Sequence, residues 1–341
     1  MSISTPHPYK SEKSEVKLDI ENTQKTEVTV TRYPGFLKGE QELPDPEIDL
    51  TQEHYVGGNR DPYEQTEGQW GFDAGSLSIV PYDGFPIAWA MGADSVQVDT
   101  PSAGLNTHTI TRKQDGAPPT ATMEAAYLGR GGSQSDFVRT FLGCYPSTAT
   151  IEVSNDGKLQ VNADVQALGI TSNTPHSSNT SVSLPDRQPW KFDKVQSNLD
   201  LAFGGASTTF ARVTDFSFEI ANNPTPEYYM ESSEAPEPYE MLYGNGGYTW
   251  DVTIAVTDTS IYNELVSSDT TFTATMTFQK GSNGDETLKF EGKECKLPNG
   301  AHPVPEEGKV ETQLSLSPRT TTITVVDGTE TNSYVAGGTN A

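Results

Sequence analysis

The chain has 341 residues with 47 acidic and 22 basic side chains, a formal net charge of −25, and a mean hydropathy of −0.55. That charge repels nucleic acid and anionic membranes and leaves no basic footprint for phosphate. No run of about 18 apolar residues exists to cross a bilayer as a helix. Thirty glycines, 23 prolines and recurrent Thr, Ser, Val, Tyr and Phe favour a turn-rich, sheet-forming protein of one large or two ordinary domains.

Residues 1–45 are polar, with a possible strand pair at Glu15–Asp19 and Thr26–Arg32. Pro34-Gly35, Pro44 and Pro46 interrupt the pattern, which predicts an extended N-terminal arm or long loop. The opening MSISTPHPYKSEKSE has no apolar core, so export by a signal peptide is not expected. A first β-domain is expected over 46–170. Within it Phe85–Met91 reads as a short helix ended by Gly92, and Leu159, Val161, Ala163, Val165 and Ala167 alternate with polar residues. Ser154-Asn155-Asp156-Gly157 reads as a hairpin turn, because it lacks the spaced ligands of a calcium loop. The Ser/Thr/Asn/Pro-rich stretch 171–189 reads as a linker. A second β-domain is expected over 190–327, with alternation at Phe216, Phe218, Ile220, at Trp250, Val252, Ile254, Val256, and at Phe272, Ala274, Met276, Phe278. A second short helix is expected from Asp258 to Val266, and 328–341 as a flexible C-terminal tail. A period of two puts one apolar face inward and a Thr-rich face outward. The predicted fold is all-β and mainly antiparallel: tandem sandwich or half-barrel domains, each with a short flanking helix.

An internal repeat supports two related halves. Pro62-Tyr63-Glu64 and then Trp70 match Pro238-Tyr239-Glu240 and then Trp250. Phe141-Leu142-Gly143-Cys144 followed by Gly157-Lys158-Leu159 matches Phe290-Glu291-Gly292 and Cys295 followed by Gly308-Lys309-Val310.

Nothing in the sequence carries catalytic chemistry, and no catalytic, cofactor-binding or metal residue is assigned. His7, His54, His108, His176 and His302 lack metal-ligand spacing. No Gly-x-Ser-x-Gly elbow or phosphate loop occurs, and Gly129-Arg130-Gly131-Gly132 reads as a surface turn. Asn179-Thr180-Ser181 is a glycosylation sequon that matters only if the modifying machinery is met. Cys144 and Cys295 read as buried thiols, with their pairing left open, and Trp70, Trp89, Trp190 and Trp250 as core or interface anchors.

The order of these elements resembles the major tail tube proteins of long-tailed phages and archaeal tailed viruses. The likeness runs over roughly residues 50–326: Asn59-Arg60-Asp61 to Trp70 and Leu77, Phe85-Pro86-Ile87 with Gly92, Tyr127 to Gly143-Cys144, Leu159–Leu168, Phe216–Asn223, Tyr248–Val256, Ser260–Val266 and Phe272–Phe278. Residues 1–45 and an insertion near 93–120 are unmatched and are expected to be exterior decoration or inter-ring contacts. The resemblance implies a structural virion protein without cofactor, whose subunits join sheets into stacked rings. Two domains per chain favour a trimeric, pseudo-sixfold ring, with a hexamer as the alternative. Implied partners are the tape measure protein, the tail terminator and the distal tail or baseplate proteins. DNA would pass through the lumen without specific binding, and no membrane is involved. The spread acidity suits a salt-loving host, because at about 1 M salt screening acts over roughly 3 Å. A virion decoration or surface adhesin, and more remotely a carbohydrate-active enzyme, are the competing readings.

Overall fold

The computed structural model describes residues 14–56, 61–72, 74–129, 136–154, 157–171, 188–192, 198–203, 206–210, 213–229, 237–255, 271–280, 285–301, 311–328 and 330–336. The first half forms β1 (Ser14–Ile20), β2 (Phe36–Gln41), β3 (Pro46–Glu53), β4 (Glu64–Phe72), β5 (Gly75–Ile79), α1 (Phe85–Met91), β6 (Gly92–Gln97), β7 (Asn106–Arg112), β8 (Ala121–Tyr127), β9 (Phe137–Ser154), β10 (Gln160–Gln166) and β11 (Gly169–Thr171). The second half forms β12 (Asn198–Phe203), β13 (Ala206–Phe210), β14 (Val213–Ala221), β15 (Thr225–Glu227), β16 (Glu240–Leu242), β17 (Gly247–Ala255), β18 (Phe272–Lys280), β19 (Glu286–Ala301), β20 (Glu311–Ser317) and β21 (Thr320–Asp327). The all-β expectation holds, with every strand pairing antiparallel.

Two strands are long enough to serve two layers. β9 pairs with β8 and β11 up to Cys144, then with β10 and β14 from Tyr145 onward. β19 pairs with β18 and β21 up to Cys295, then with β20 from Lys296. A strand that bends from one sheet into another makes the corner of a sandwich. The result is one inner sheet ordered β2-β5-β10-β9-β14-β17-β20-β19. Two outer sheets are ordered β1-β8-β9-β11 and β6-β7-β21-β19-β18-β12-β13. The hairpins β3–β4 and β15–β16 stand apart as two-stranded pieces.

The two halves trace the same pairing order. In the outer layer β1-β8-β9 corresponds to β12-β18-β19, and in the inner layer β2-β5-β10-β9 corresponds to β14-β17-β20-β19. Details repeat as well. Met123 faces Phe141 as Met276 faces Phe290, and a register shift separates each pair from a cysteine further along, Cys144 opposite Ala121 and Cys295 opposite Phe272. Tyr63 N–H donates to Glu53 O at 2.9 Å, and Tyr239 N–H to Glu227 O at 2.8 Å, so both Pro-Tyr-Glu triplets open the second strand of a hairpin. The tryptophans do not correspond: Trp70 lies half-buried in β4, whereas Trp250 is fully buried in β17. The counterpart of β17 is β5, whose short apolar run of Leu77 and Ile79 needs no indole.

Alternation explains most of the strands. β14, β17, β18 and β20 each bury every second residue. Their apolar faces join those of β5, β9 and β10 and all of α1 in one core running through both halves. Pro86 at the start of α1 and Gly92 at its end, in the left-handed region at φ 90°, limit the helix to seven residues. Residues 14–20 are not part of a loose arm, because Leu18 and Ile20 are buried where β1 pairs with β8. Thr26–Arg32 is irregular apart from one bridge between Leu18 and Arg32. The insertion near 93–120 forms the β6–β7 hairpin and extends the second half's outer sheet along β21. The expected second helix lies outside the described residues, as does nearly all of the linker 171–189.

Glu21 holds the β9 corner. Its carboxylate is buried and accepts from the Thr120 hydroxyl at 2.6 Å, the Thr122 hydroxyl at 3.1 Å, Gly143 N–H at 2.8 Å and Lys25 N–H at 2.9 Å. Burial raises its pKa, and these donors offset part of that rise. Gly143 sits at φ +66°, and an added Cβ would meet Leu168 at 2.6 Å. Glu21→Ala is expected to lower unfolding free energy by about 2–4 kcal/mol, since it orphans several buried donors at once. Urea unfolding of the dissociated chain measures this, and a change under about 0.5 kcal/mol, the range of ordinary surface substitutions, contradicts it.

Candidate assembly surface

The inner sheet has one apolar face in the core and one hydrophilic face outside it. Strands β5, β10, β14, β17 and β20 and residues 145–154 of β9 contain no Lys, Arg or His. Their outward positions include Ser76, Ser78, Thr148, Thr150, Asn162, Ser217, Thr249, Thr253 and Ser315. The same face carries Glu152, Asp164, Asp215, Glu219, Asp251 and Glu311. Cross-strand hydrogen bonds pin it. The Ser78 hydroxyl donates to Asn162 Oδ1 at 2.7 Å, Asn162 Nδ2 to Glu152 at 2.8 Å, and the Thr148 hydroxyl to Asp164 at 2.8 Å. The Ser315 hydroxyl also donates to Asp251. Within these strands the face is a hydroxyl and carboxylate lattice without a cation to hold a phosphate, and Lys158 is a neighbouring cation beside Glu152 and Asp215.

The sheet ends in two open edges. Among the described residues β2 pairs only with β5, and residues 296–301 of β19 only with β20. Open edges invite pairing with another chain. β2 departs from a flat edge, because pairing jumps from Phe36 to Gln41 and the intervening residues bulge around Gly39 at φ +84°. Bulges restrict which partner an edge accepts.

A third feature is where apolar side chains meet solvent. Ile48, Leu50, Tyr55, Val56, Tyr63, Tyr229, Tyr239 and Leu242 are exposed, and all belong to the β3–β4 and β15–β16 hairpins or their connections; Val98 is the only other large apolar residue exposed among the described residues. The hairpins touch, with the Tyr228 hydroxyl donating to Trp70 O at 3.0 Å. Each carries a T-shaped tyrosine pair, Tyr55–Tyr63 with centroids 5.2 Å apart and Tyr229–Tyr239 at 5.3 Å. Hydrogen bonds to Glu53 and Glu240 push the Tyr55 and Tyr229 phenols above their ordinary pKa. A two-stranded ribbon is marginal alone, and an exposed apolar concentration marks an interaction surface.

The residues weighed for chemistry are dispersed. His54 is exposed, His108 is buried, and His7, His176 and His302 lie outside the described residues. Cys144 and Cys295 are free and buried, and burial pushes their thiols up, Cys295 to about 11. Trp89, Trp190 and Trp250 are core residues. Arg130-Gly131-Gly132, Asn155-Asp156 and the sequon at Asn179 lie outside the described residues. Among those described, no group of three His, Cys, Asp or Glu is placed to hold a metal ion, and no helix is long and apolar enough to cross a membrane. Sequence reasoning missed the two edges, because an edge is defined by what fails to pair. The Pro-Tyr-Glu repeat marked the hairpins without revealing that they stand apart from the large sheets.

A family model described as phage tail tube protein matches residues 11–332. No curated protein matches the chain. The match takes in β1, which ties the N-terminal strand to the same fold as the rest. This family is structural, belongs to the virion tail, and implies self-assembly into the tail tube together with contacts to other tail proteins. From β1 to the close of β21, then, the chain belongs to the phage tail tube protein family.

Proposed function

We propose that three copies close into a ring whose inner wall is one continuous barrel, and that stacked rings form an acidic conduit for viral DNA. The observation that carries this is the β9–β14 junction. Inside each chain it joins the last strand of one four-strand unit to the first strand of the next, over seven residue pairs from Asp215–Ser154 to Ala221–Thr148. The same order leaves β19 open at one end and β2 at the other. Pairing β19 of one copy with β2 of the next repeats the internal junction between chains. The tandem units divide within 171–189, with β1 and β2 from residues 1–45 completing the first.

Strand spacing supports three copies over two. The eight inner strands among the described residues of each chain make 24 strands in three copies. At about 4.8 Å each they give a backbone diameter of roughly 37 Å before tilt widens it, against roughly 24 Å for two copies. Side chains then leave room for a hydrated duplex in the former and not in the latter.

The hydrophilic face lines the channel, and the two hairpins carry ring-to-ring contacts. Because phosphate affinity comes largely from cations that release counterions, a wall of carboxylates and hydroxyls lets DNA slide without being held. The ends of the tube meet the tape measure, tail terminator and distal tail proteins. Ring closure brings like charges together, so assembly rises with salt up to the molar range suited to a salt-loving host.

The test of the conduit is a chain with Glu152→Lys, Asp215→Lys and Asp251→Lys. Its tubes should retain double-stranded DNA in dilute buffer and release it steeply with added salt, whereas the parent tubes retain none. Equal retention by both removes the electrostatic reading.

A further inference from the structure

Residues 330–336 cross the outer sheet at β6, β7 and β21 and are fastened there by a buried polar cluster. Asn106 Nδ2 donates to Glu330 O at 2.8 Å, and His108 Nε2 lies 3.1 Å from the same carbonyl. On its other side His108 Nδ1 lies 2.9 Å from Asp94 Oδ2, which also accepts Tyr334 N–H at 2.8 Å. The Tyr334 ring stacks on the imidazole at 4.1 Å, and its hydroxyl donates to Asp327 at 2.9 Å. The His108 and Asp94 side chains are fully buried.

The geometry determines the proton count. A carbonyl oxygen only accepts, so His108 Nε2 carries hydrogen. A neutral ring would then aim the bare lone pair of Nδ1 at a carboxylate oxygen. The 2.9 Å contact is satisfied only if a further proton lies between them. Placed on Nδ1, that proton makes the ring an imidazolium, and the pair holds one more proton than a neutral histidine beside a carboxylate.

We propose that this single proton is a latch: it fastens the C-terminal strap and the inserted β6–β7 hairpin to the end of β21, and its loss at rising pH frees the strap. The latch joins a hairpin from the first half to the last strand of the second, and it stands on this cluster alone, independent of ring closure. The charged and titratable groups facing it are Asp94 from β6, Asp327 from β21, and Glu330 and Tyr334 from the strap. Arg32 pairs with Glu330 at 3.3 Å and lies 3.9 Å from Asp83. Burial alone would lower the His108 pKa. Asp94, the Glu330 carbonyl and Asp327 outweigh it, so the net shift is upward from 6.5. A raised folded-state pKa gives stability that is whole below the unfolded value and disappears as pH climbs through the folded one.

Hydrogen exchange of the full chain in its dissociated form, from pH 5 to pH 9, tests the latch. The Tyr334 amide should lose protection by up to tenfold per pH unit above about 6.5, beyond the intrinsic rise in exchange. Asp94→Asn should abolish that excess dependence even though it weakens the strap by removing one acceptor. Nitrogen-15 spectra of the unaltered chain, labelled at histidine, should show protons on both His108 nitrogens at pH 7 and the loss of one only at the higher pH where the excess exchange levels off. A bare Nδ1 at pH 7, a Tyr334 profile that follows intrinsic exchange, or an unchanged slope in Asp94→Asn overturns the proposal.

Discussion

Trp250→Ala lowers the unfolding free energy by about 3–5 kcal/mol, the range for removing a large aromatic from a packed core. Trp250 is fully buried in β17. Its ring centroid lies 5.7 Å from Phe216, 5.7 Å from Phe218 and 6.4 Å from Phe290. Phe290 in turn meets Phe278 at 6.1 Å, so the indole ties inner strands β14 and β17 to outer strands β18 and β19. The site cannot collapse around a smaller residue, because Gly292 beneath it is hemmed in by Pro318 and Cys295. Trp250→Phe should cost less than about 1.5 kcal/mol. It keeps most of the ring contacts and removes an indole N–H that is buried without a hydrogen-bond partner. Denaturant unfolding of the dissociated chain gives both values. Equal losses for the two substitutions would show that the indole, rather than the aromatic cluster, holds the layers.

The double substitution Tyr63→Glu and Tyr239→Glu should leave the chain folded and abolish tubes. Both side chains are well exposed, Tyr63 at 79% and Tyr239 at 43%. Changes at such positions usually move stability by no more than about 0.5 kcal/mol. In the stacking proposed above the same residues would lie in the ring-to-ring contact, where a desolvated carboxylate would meet an apolar surface. Each joins a hairpin already rich in acids, so repulsion adds to desolvation. Circular dichroism should match the parent while light scattering in molar salt shows single rings or free chains. Tubes of normal length from this variant would remove the hairpins from the axial contact.

Much of this architecture was legible in the alternation of single strands. Phe216-x-Phe218-x-Ile220, the Trp250 run and the Phe272 run appear as β14, β17 and β18 with the expected faces buried. Gly92 ended α1 as its φ preference requires. What alternation cannot show is pairing between strands far apart in sequence. β7 pairing with β21, or β9 with β14, depends on chain closure rather than on any local pattern. β1 was legible as a possible strand at Glu15–Asp19, but its three apolar positions in seven did not show that it packs into the fold rather than lying in a polar arm. The repeat was visible where both units keep the same residues in the same structural place, at Pro-Tyr-Glu and at the Phe–Gly–Cys corner. It failed at the tryptophans, where only one unit places an indole in its core.

Closure of the ring is tested most directly by electron cryomicroscopy of the chain assembled in molar salt. The expected result is rings of three chains, a continuous inner barrel with β19 of each copy hydrogen-bonded to β2 of the next, and Glu152, Asp215 and Asp251 facing the lumen. Rings in which these edges stay apart, or an inner wall built from the outer-sheet strands, would contradict it.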